Sequence, residues 1–434
     1  MHSNIKQLHH LKALVSALTF FAALSFVYTY VISANWGYSG LHYEFRWSAL
    51  GFSLAIVTIA VFLIPRKFST RSFHLTLALY VLHIPSLVFF ALSGQSFLYA
   101  FIVALSFPLI AAFSSLRINH IQILELSKKS LFIGLFGITA ILIAALAGFG
   151  GFSSFNLDIF SVYEFRRNAH ANLPAIFIFL IFPVSKAVIP AGIAIALYYR
   201  SPLAICAFIL LATILFGLTH LKSILFIPFV VLVLYHATKK QENLATIFYL
   251  FFAAVLLAIF EYIINAVITD NATYGVFTDV VIRRLFFIPP LMDSYHVSFF
   301  SENEKFYWAT SRLTFGLVDT HYHVTAPSLI GEVFFGRSDM SANSGLIASG
   351  YAQAGIFGIV LYSSFLGIII AVLDSYGKHK GHPLVIATSF VLITTALNSS
   401  DLLVAFLTHG LLLLIFLLSA FPHIEHPRLT GQPQ

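Results

Sequence analysis

Apolar runs of about twenty residues, separated by short polar connections, recur from one end of the chain to the other. That pattern predicts an all-α, polytopic transmembrane helical bundle. About twelve spans are expected, at roughly 12–33, 47–64, 73–92, 96–113, 131–150, 174–198, 202–217, 220–237, 244–268, 346–373, 384–398 and 401–420. No soluble domain, internal repeat or low-complexity segment interrupts them, so residues 1–434 read as a single integral membrane domain. One long segment breaks the pattern. Residues 270–345 hold five basic side chains, three histidines and eight carboxylates, which makes them an implausible span. Their aromatic density (Tyr295, Phe299, Phe300, Phe306, Tyr307, Trp308, Phe315, Tyr322) argues against disorder and predicts an ordered cap.

Charge sets the expected orientation. Lys6, Lys12, Arg66, Lys67, Arg71, Arg117, Lys128, Lys129, Arg200, Lys239, Lys240, Lys378, Lys380 and Arg428 fall on one side, and over short loops they outweigh the other side. The positive-inside rule then puts both termini in the cytoplasm and residues 150–173 and 270–345 outside. It also accounts for most of the net charge of +7, which needs no nucleic-acid partner. Hydrophobic residues make up 59% of the chain, far above soluble averages. The single Cys206 lies in an apolar run and offers neither a disulfide framework nor a zinc site.

Two arginine pairs stand against the orientation bias: Arg166 and Arg167 in the outer loop 150–173, Arg283 and Arg284 at the start of the long segment. Guanidinium groups bind phosphate oxygens bidentately and stay charged, so the pairs suggest a diphosphate borne by a lipid. Pairing with local carboxylates (Asp158, Glu164, Asp279) is the plainer alternative. Group transfer from such a lipid needs stabilisation of the departing diphosphate and a base for the acceptor hydroxyl. Glu332, in the apolar stretch SLIGEVFFG, is the first candidate base because desolvation there would raise its pKa; His323 is the second. Asp319 and His321 follow. Tyr295, Arg312, His321 and Asn343 are further candidates for contacting substrate. One HYH triplet (321–323) is too little for a metal site, there is no P-loop, HExxH, GxSxG or CxxC, and no cofactor is expected. Lys186, mid-span between Pro183 and Pro190, marks a kinked or broken helix and is a candidate functional residue. Glu261 and His409 read as satisfied bundle residues.

The RRN at 166–168, the stretch VIRRLFFIPPLMDSYHVSFF and the block SANSGLIASGYAQAGIFGIVLY (341–362) resemble the Wzy-type O-antigen and surface-polysaccharide repeat-unit polymerases of bacterial inner membranes. The resemblance implies a GT-C-like architecture and a metal-independent, inverting glycosyltransferase related to the O-antigen ligases. Its donor and acceptor would be undecaprenyl-diphosphate-linked oligosaccharides, with Arg166, Arg167, Arg283 and Arg284 matching the family's periplasmic arginines. A chain-length regulator protein would be a partner. An O-antigen ligase is the nearest rival. A transporter or flippase of lipid-linked glycans is another; it would need paired broken helices and ionisable groups near the midplane.

Overall fold

The computed structural model describes residues 2–159, 174–240, 244–269, 274–311, 314–337 and 339–422. Among them regular structure is helical, with one isolated bridge between Glu44 and Ser93 and no strand. Among the described residues nine helices are long and apolar enough to cross a membrane. Trp47–Leu63, Phe97–Phe113 and His382–Asn398 are apolar helices of 17 residues, about 26 Å at 1.5 Å per residue. This is the architecture of an all-α polytopic membrane protein.

The chain forms two compact units. The first comprises Met1–Leu116, Asn243–Ile370 and Ile393–Leu402; the second comprises Arg117–Glu242, Ala371–Leu392 and Leu403–Gln434.

At the centre of the first unit runs the Thr70–Leu92 helix, buried throughout its apolar window. Several of its polar groups are paired within that burial. Ser69 and Ser72 form a reciprocal cap at its start. His83 occupies a π-helical turn, Leu79–His83, where Nδ1 donates to the Ala78 carbonyl (2.9 Å) and Nε2 lies 2.9 Å from Ser106 Oγ. A π turn shifts backbone pairing by one residue and leaves carbonyls to be met from elsewhere. Here the donor is Asn398, whose Nδ2 reaches Val81 O at 3.1 Å.

The same amide reaches Leu285 O at 3.2 Å, in a second π-helical segment, Thr278–Phe287. That segment belongs to the stretch expected to cap the bundle. It continues, after Phe287 (φ −120°, ψ −31°) and the Pro289-Pro290 pair, as helix Ile288–Glu302. Many of its residues are buried, with Phe286 packed edge-on against Phe20 and Phe251, and Phe287 against Tyr28. Residues 278–302 are therefore interior helix packed among the apolar helices. Their charges lower the hydropathy of this stretch, and two of them, Asp279 and Arg283, are paired with each other. Glu261 accepts from the Phe277 and Thr278 amides (3.0 and 2.8 Å) and the Thr278 hydroxyl (2.8 Å), so it caps the segment, and Arg283 Nε donates to Asp279 (2.7 Å).

The span expected at 346–373 is also different. Two helices meet within Leu346–Lys380, because Ala354 (φ −153°) and Gly355 (φ +59°) leave helical conformation and reverse the chain. Residues 346–353 fold back so closely that a Cβ on Gly358 would lie 1.9 Å from Gly350 O. Gly355 supplies the positive φ and Gly350 and Gly358 the close approach. The reversal leaves the last carbonyls of 346–353 open. They are taken by a passing strand of chain: Phe306 N donates to Ala352 O (3.0 Å), Tyr307 N to Gln353 O (2.8 Å) and Trp308 N to Gln353 Oε1 (2.7 Å). Tyr307 (φ +46°) and Trp308 (φ +60°) are held in left-handed conformation by these bonds.

In the second unit, Ile176–Tyr198 packs with Pro202–Thr219, Lys222–Lys240 and Lys128–Gly148. Gly192 lets the Phe208 ring close on the backbone; a Cβ there would meet the ring at 2.4 Å. Lys380 is buried, its ammonium donating to Gln122 Oε1 (2.9 Å) and to the carbonyls of Phe421 (2.7 Å) and Pro422 (3.3 Å).

Asn398 gives the fold a direct test. Asn398→Leu keeps the volume and removes both donors, stranding two buried carbonyls at about 1–3 kcal/mol each. Thermal unfolding of the purified protein in detergent should show a clear loss for Asn398→Leu. A melting curve like the wild type's would mean that the two π segments do not depend on this amide.

Candidate functional site

Of the residues expected to work together, Arg283, Arg284, Glu332 and His323 lie in the first unit, so each can be followed to its surroundings. Arg166, Arg167 and Arg312 fall outside the described residues. Arg283 sits on π-helical Thr278–Phe287 with its side chain 18% exposed. Its guanidinium carbon lies 4.9 Å from the centre of the Trp36 ring, and Trp36 in turn packs on Tyr274 at 4.1 Å. Asp279, one turn back, holds it by an ion pair. The local carboxylate pairing weighed from the sequence is thus present for Arg283. Arg284 points the other way: it is exposed and has no ion pair or hydrogen bond among the described residues.

Trp36 ends an interrupted first helix, and the chain turns at Gly40 (φ +95°) a few residues later. Tyr295 closes over that turn, its hydroxyl where a Gly40 Cβ would be. Tyr295 also stacks on Phe334 (4.2 Å, 11°) and meets Phe335 edge-on. The short stretch from Trp36 to Gly40 therefore touches Arg283 at one end and Tyr295 at the other. With Tyr274, Tyr38 and Phe334 exposed, the first unit presents aromatic rings around the buried Trp36 and the Arg283 guanidinium laid on it. Such a surface suits an anion carrying flat, partly apolar groups such as sugar rings.

The candidate bases stand further along. Helix Ala326–Phe335 buries Ala326, Ile330 and Gly331 and turns Glu332 outward. Glu332 is exposed, so the desolvation expected from its apolar neighbours does not occur. Those neighbours lie on both faces of a single ten-residue helix. His323, Asp319 and Asn343 are exposed as well. His321 is placed more firmly, with Nδ1 3.0 Å from Glu304 Oε2 and the ring 4.1 Å from that of Tyr322. No contact joins Arg283 or Arg284 to Glu332, His321 or His323; Tyr295, through Phe334, is the residue that bridges toward them.

Asp293 was missed because it sits among residues read as loop. It is 2% exposed, and one oxygen accepts from the Ala348 amide (3.0 Å) while the other has no partner. It caps helix 346–353 from across the fold, and burial pushes its carboxyl up to about 8. His296, one turn on, is buried with Nδ1 donating to Met292 O (2.8 Å), and burial lowers its pKa to about 4. Trp308 and Tyr362 were also missed: Trp308 Nε1 donates to Tyr362 Oη (3.1 Å), which donates to Asp401 (2.9 Å).

Lys186 belongs to the second unit. The interruption expected there takes the form of a π-helical turn, Val184–Val188, after Pro183. A second broken helix crosses it. Leu402–Leu407 stops, and Leu411–Ala420 restarts at Gly410 (φ +106°), whose backbone lies so near Pro183 that a Cβ would stand 2.9 Å from Pro183 Cα. His409, at the break, stacks on Phe182 (4.9 Å), and its buried Nδ1 has no partner. Lys186 Nζ lies 5.3 Å from the same Phe182 ring, with no carboxylate against it among the described residues.

Among the described residues no group of three or more His, Cys, Asp or Glu is disposed to hold a metal ion. No family model matches the chain, and no curated protein or solved structure matches it either.

The buried carboxyl of Asp293 makes a pH prediction. A folded-state pKa above the ordinary 3.8 means the native state holds this proton more tightly than the unfolded chain. Its contribution is full below about 3.8, is lost as pH rises toward about 8, and changes no further above that. Asp293→Asn keeps the oxygen that accepts from Ala348 and cannot ionise. The wild type should lose thermal stability across that window relative to Asp293→Asn; parallel curves would show that Asp293 does not titrate there.

Proposed function

We propose that the chain is a glycosyltransferase that polymerises undecaprenyl-diphosphate-linked oligosaccharide repeat units at the outer face of a bacterial inner membrane. The observation that carries this reading is the aromatic cluster around buried Trp36 and half-buried Tyr295, with Arg283 laid on it and exposed Arg284 without a partner among the described residues. In this reading the bundle has about twelve spans in a GT-C-like arrangement, both termini are cytoplasmic, and residues 150–173 and 270–345 face the periplasm. Arg284 takes the diphosphate oxygens, the role expected from the sequence for both arginine pairs. Arg283, already tied to Asp279, orients the pair and contributes charge.

The reaction is an inverting displacement. A sugar hydroxyl of the incoming lipid-linked unit attacks the anomeric carbon of the growing chain as the bond from that carbon to the diphosphate oxygen breaks. The negative charge accumulating on the diphosphate is met by guanidinium groups. The hydroxyl proton passes to Glu332 or His323, with His321 held nearby by Glu304 as a third candidate. Exposure of all three is compatible with an acceptor that arrives from the aqueous side.

Purified protein given only the lipid-linked repeat unit should make a ladder of products. Arg284→Ala should lose about tenfold to a hundredfold in turnover, the equivalent of ~1.5–3 kcal/mol for one charge-assisted hydrogen bond. Glu332→Gln or His323→Ala should abolish the ladder while leaving donor binding intact. Normal ladders from all three variants would remove the reading, and a strict need for a lipid A–core acceptor would move it to an O-antigen ligase.

The crossing of broken helices at Lys186 and His409 favours a second reading, a transporter of lipid-linked glycans, since interrupted helices with midplane basic groups are the pattern such proteins use. Reconstituted vesicles decide between them. In this second reading Lys186→Met abolishes translocation of a lipid-linked glycan across the vesicle membrane; in the first, no protein-dependent translocation occurs and Lys186→Met leaves polymerisation near normal.

A further inference from the structure

Inside an apolar bundle a hydroxyl needs a partner, and a carboxylate without its proton needs a counter-charge. Asp293 sits where neither need is met in full. Its helix, Ile288–Glu302, packs against the last turns of Thr70–Leu92 and against Phe97–Phe113. The first of these brings Ser86, wholly buried, and the second brings Tyr99, 1% exposed. Tyr99 is where the three meet. Ser86 lies beside its hydroxyl, and Asp293 is the charge that acts on it.

Bonding accounts for only one oxygen of this group. Asp293 Oδ1 accepts from the Ala348 amide at 3.0 Å. Asp293 Oδ2, Tyr99 Oη and Ser86 Oγ are buried and complete no hydrogen bond among the described residues. Buried polar atoms without partners are rare, and three of them around one carboxyl need an explanation. No lysine, arginine or histidine forms an ion pair with Asp293 among the described residues. His296, one turn on, offers no counter-charge. Its Nδ1 donates to Met292 O, which leaves the buried Nε2 as a lone pair.

Oxygen ligands with a single negative charge suit a hard cation. A divalent ion would leave excess positive charge in an apolar interior, whereas a monovalent one closes the balance. A lone water would join the oxygens but leave the carboxylate's charge standing.

We propose that Asp293 Oδ2, Tyr99 Oη and Ser86 Oγ hold a monovalent alkali cation such as sodium. Oδ1 stays on Ala348, so through one carboxylate the ion ties helix 346–353 to Thr70–Leu92 and Phe97–Phe113. The site is separate from the Arg283 cluster and does not rest on the glycosyltransferase reading.

The test uses the full chain in detergent at about pH 9, where protons compete least for the carboxylate. Choline chloride is replaced stepwise by sodium chloride at constant ionic strength. Radioactive sodium should bind at about one ion per chain, and the melting temperature should rise and saturate over the same concentrations. Asp293→Asn, which keeps the acceptor for Ala348, should still fold in choline and bind no sodium. Ser86→Ala and Tyr99→Phe should each weaken sodium binding about tenfold. Glu302→Gln, which removes an exposed carboxylate at the end of the same helix, should change nothing. Sodium binding that survives Asp293→Asn, or that Ser86→Ala and Tyr99→Phe both leave unmoved, overturns the proposal. A melting temperature indifferent to the exchange of choline for sodium overturns it too, since water or a proton would then suffice. Stabilisation by calcium but not by sodium would make the site divalent and overturn it as well.

Discussion

One side-chain amide holds the first unit in register. Asn398 donates to Val81 and to Leu285, and each carbonyl lies in a π-helical segment. Within an apolar bundle no water is at hand to satisfy a carbonyl released by a π turn, so each irregularity needs its own donor. The other irregularities follow the same rule. Glu261 meets the free amides at the start of Thr278–Phe287, and residues 306–308 meet the free carbonyls at the end of 346–353. Because these partners come from distant parts of the chain, the Arg283 surface is positioned by the bundle interior.

How much of this the sequence carries depends on whether a residue's role is local. Hydropathy locates the long apolar helices, and the two prolines flanking Lys186 mark its helix as interrupted. The segment 278–302 escapes because its charges lower its hydropathy while their partners lie one turn away (Asp279 for Arg283) or in another helix (Ala348 for Asp293). Glu332 misleads for the converse reason: its apolar neighbours belong to different faces of its helix. The reversal at Gly355 leaves only a cluster of glycines as its trace, and that cluster alone does not say which glycine bends the chain and which two pack.

The candidate site shows the same division. Arginine pairs are conspicuous in so uncharged a chain, and Arg284 remains open to a ligand. Trp36 is unremarkable as a residue at the end of the first apolar run, and only the fold brings it under Arg283. The broken helix at Gly410 is hidden within a continuous apolar run, where a lone glycine after His409 reads as ordinary packing.

The turn at Phe306, Tyr307 and Trp308 has a consequence for biogenesis. It leaves the ribosome before Ala352 and Gln353, whose carbonyls it must find, and it holds two non-glycine residues in left-handed conformation only through them. During synthesis this stretch has no stable place until 346–353 has emerged and folded back on the glycines behind it. Residues 306–308 therefore reach their native bonds only after 346–353 has been made.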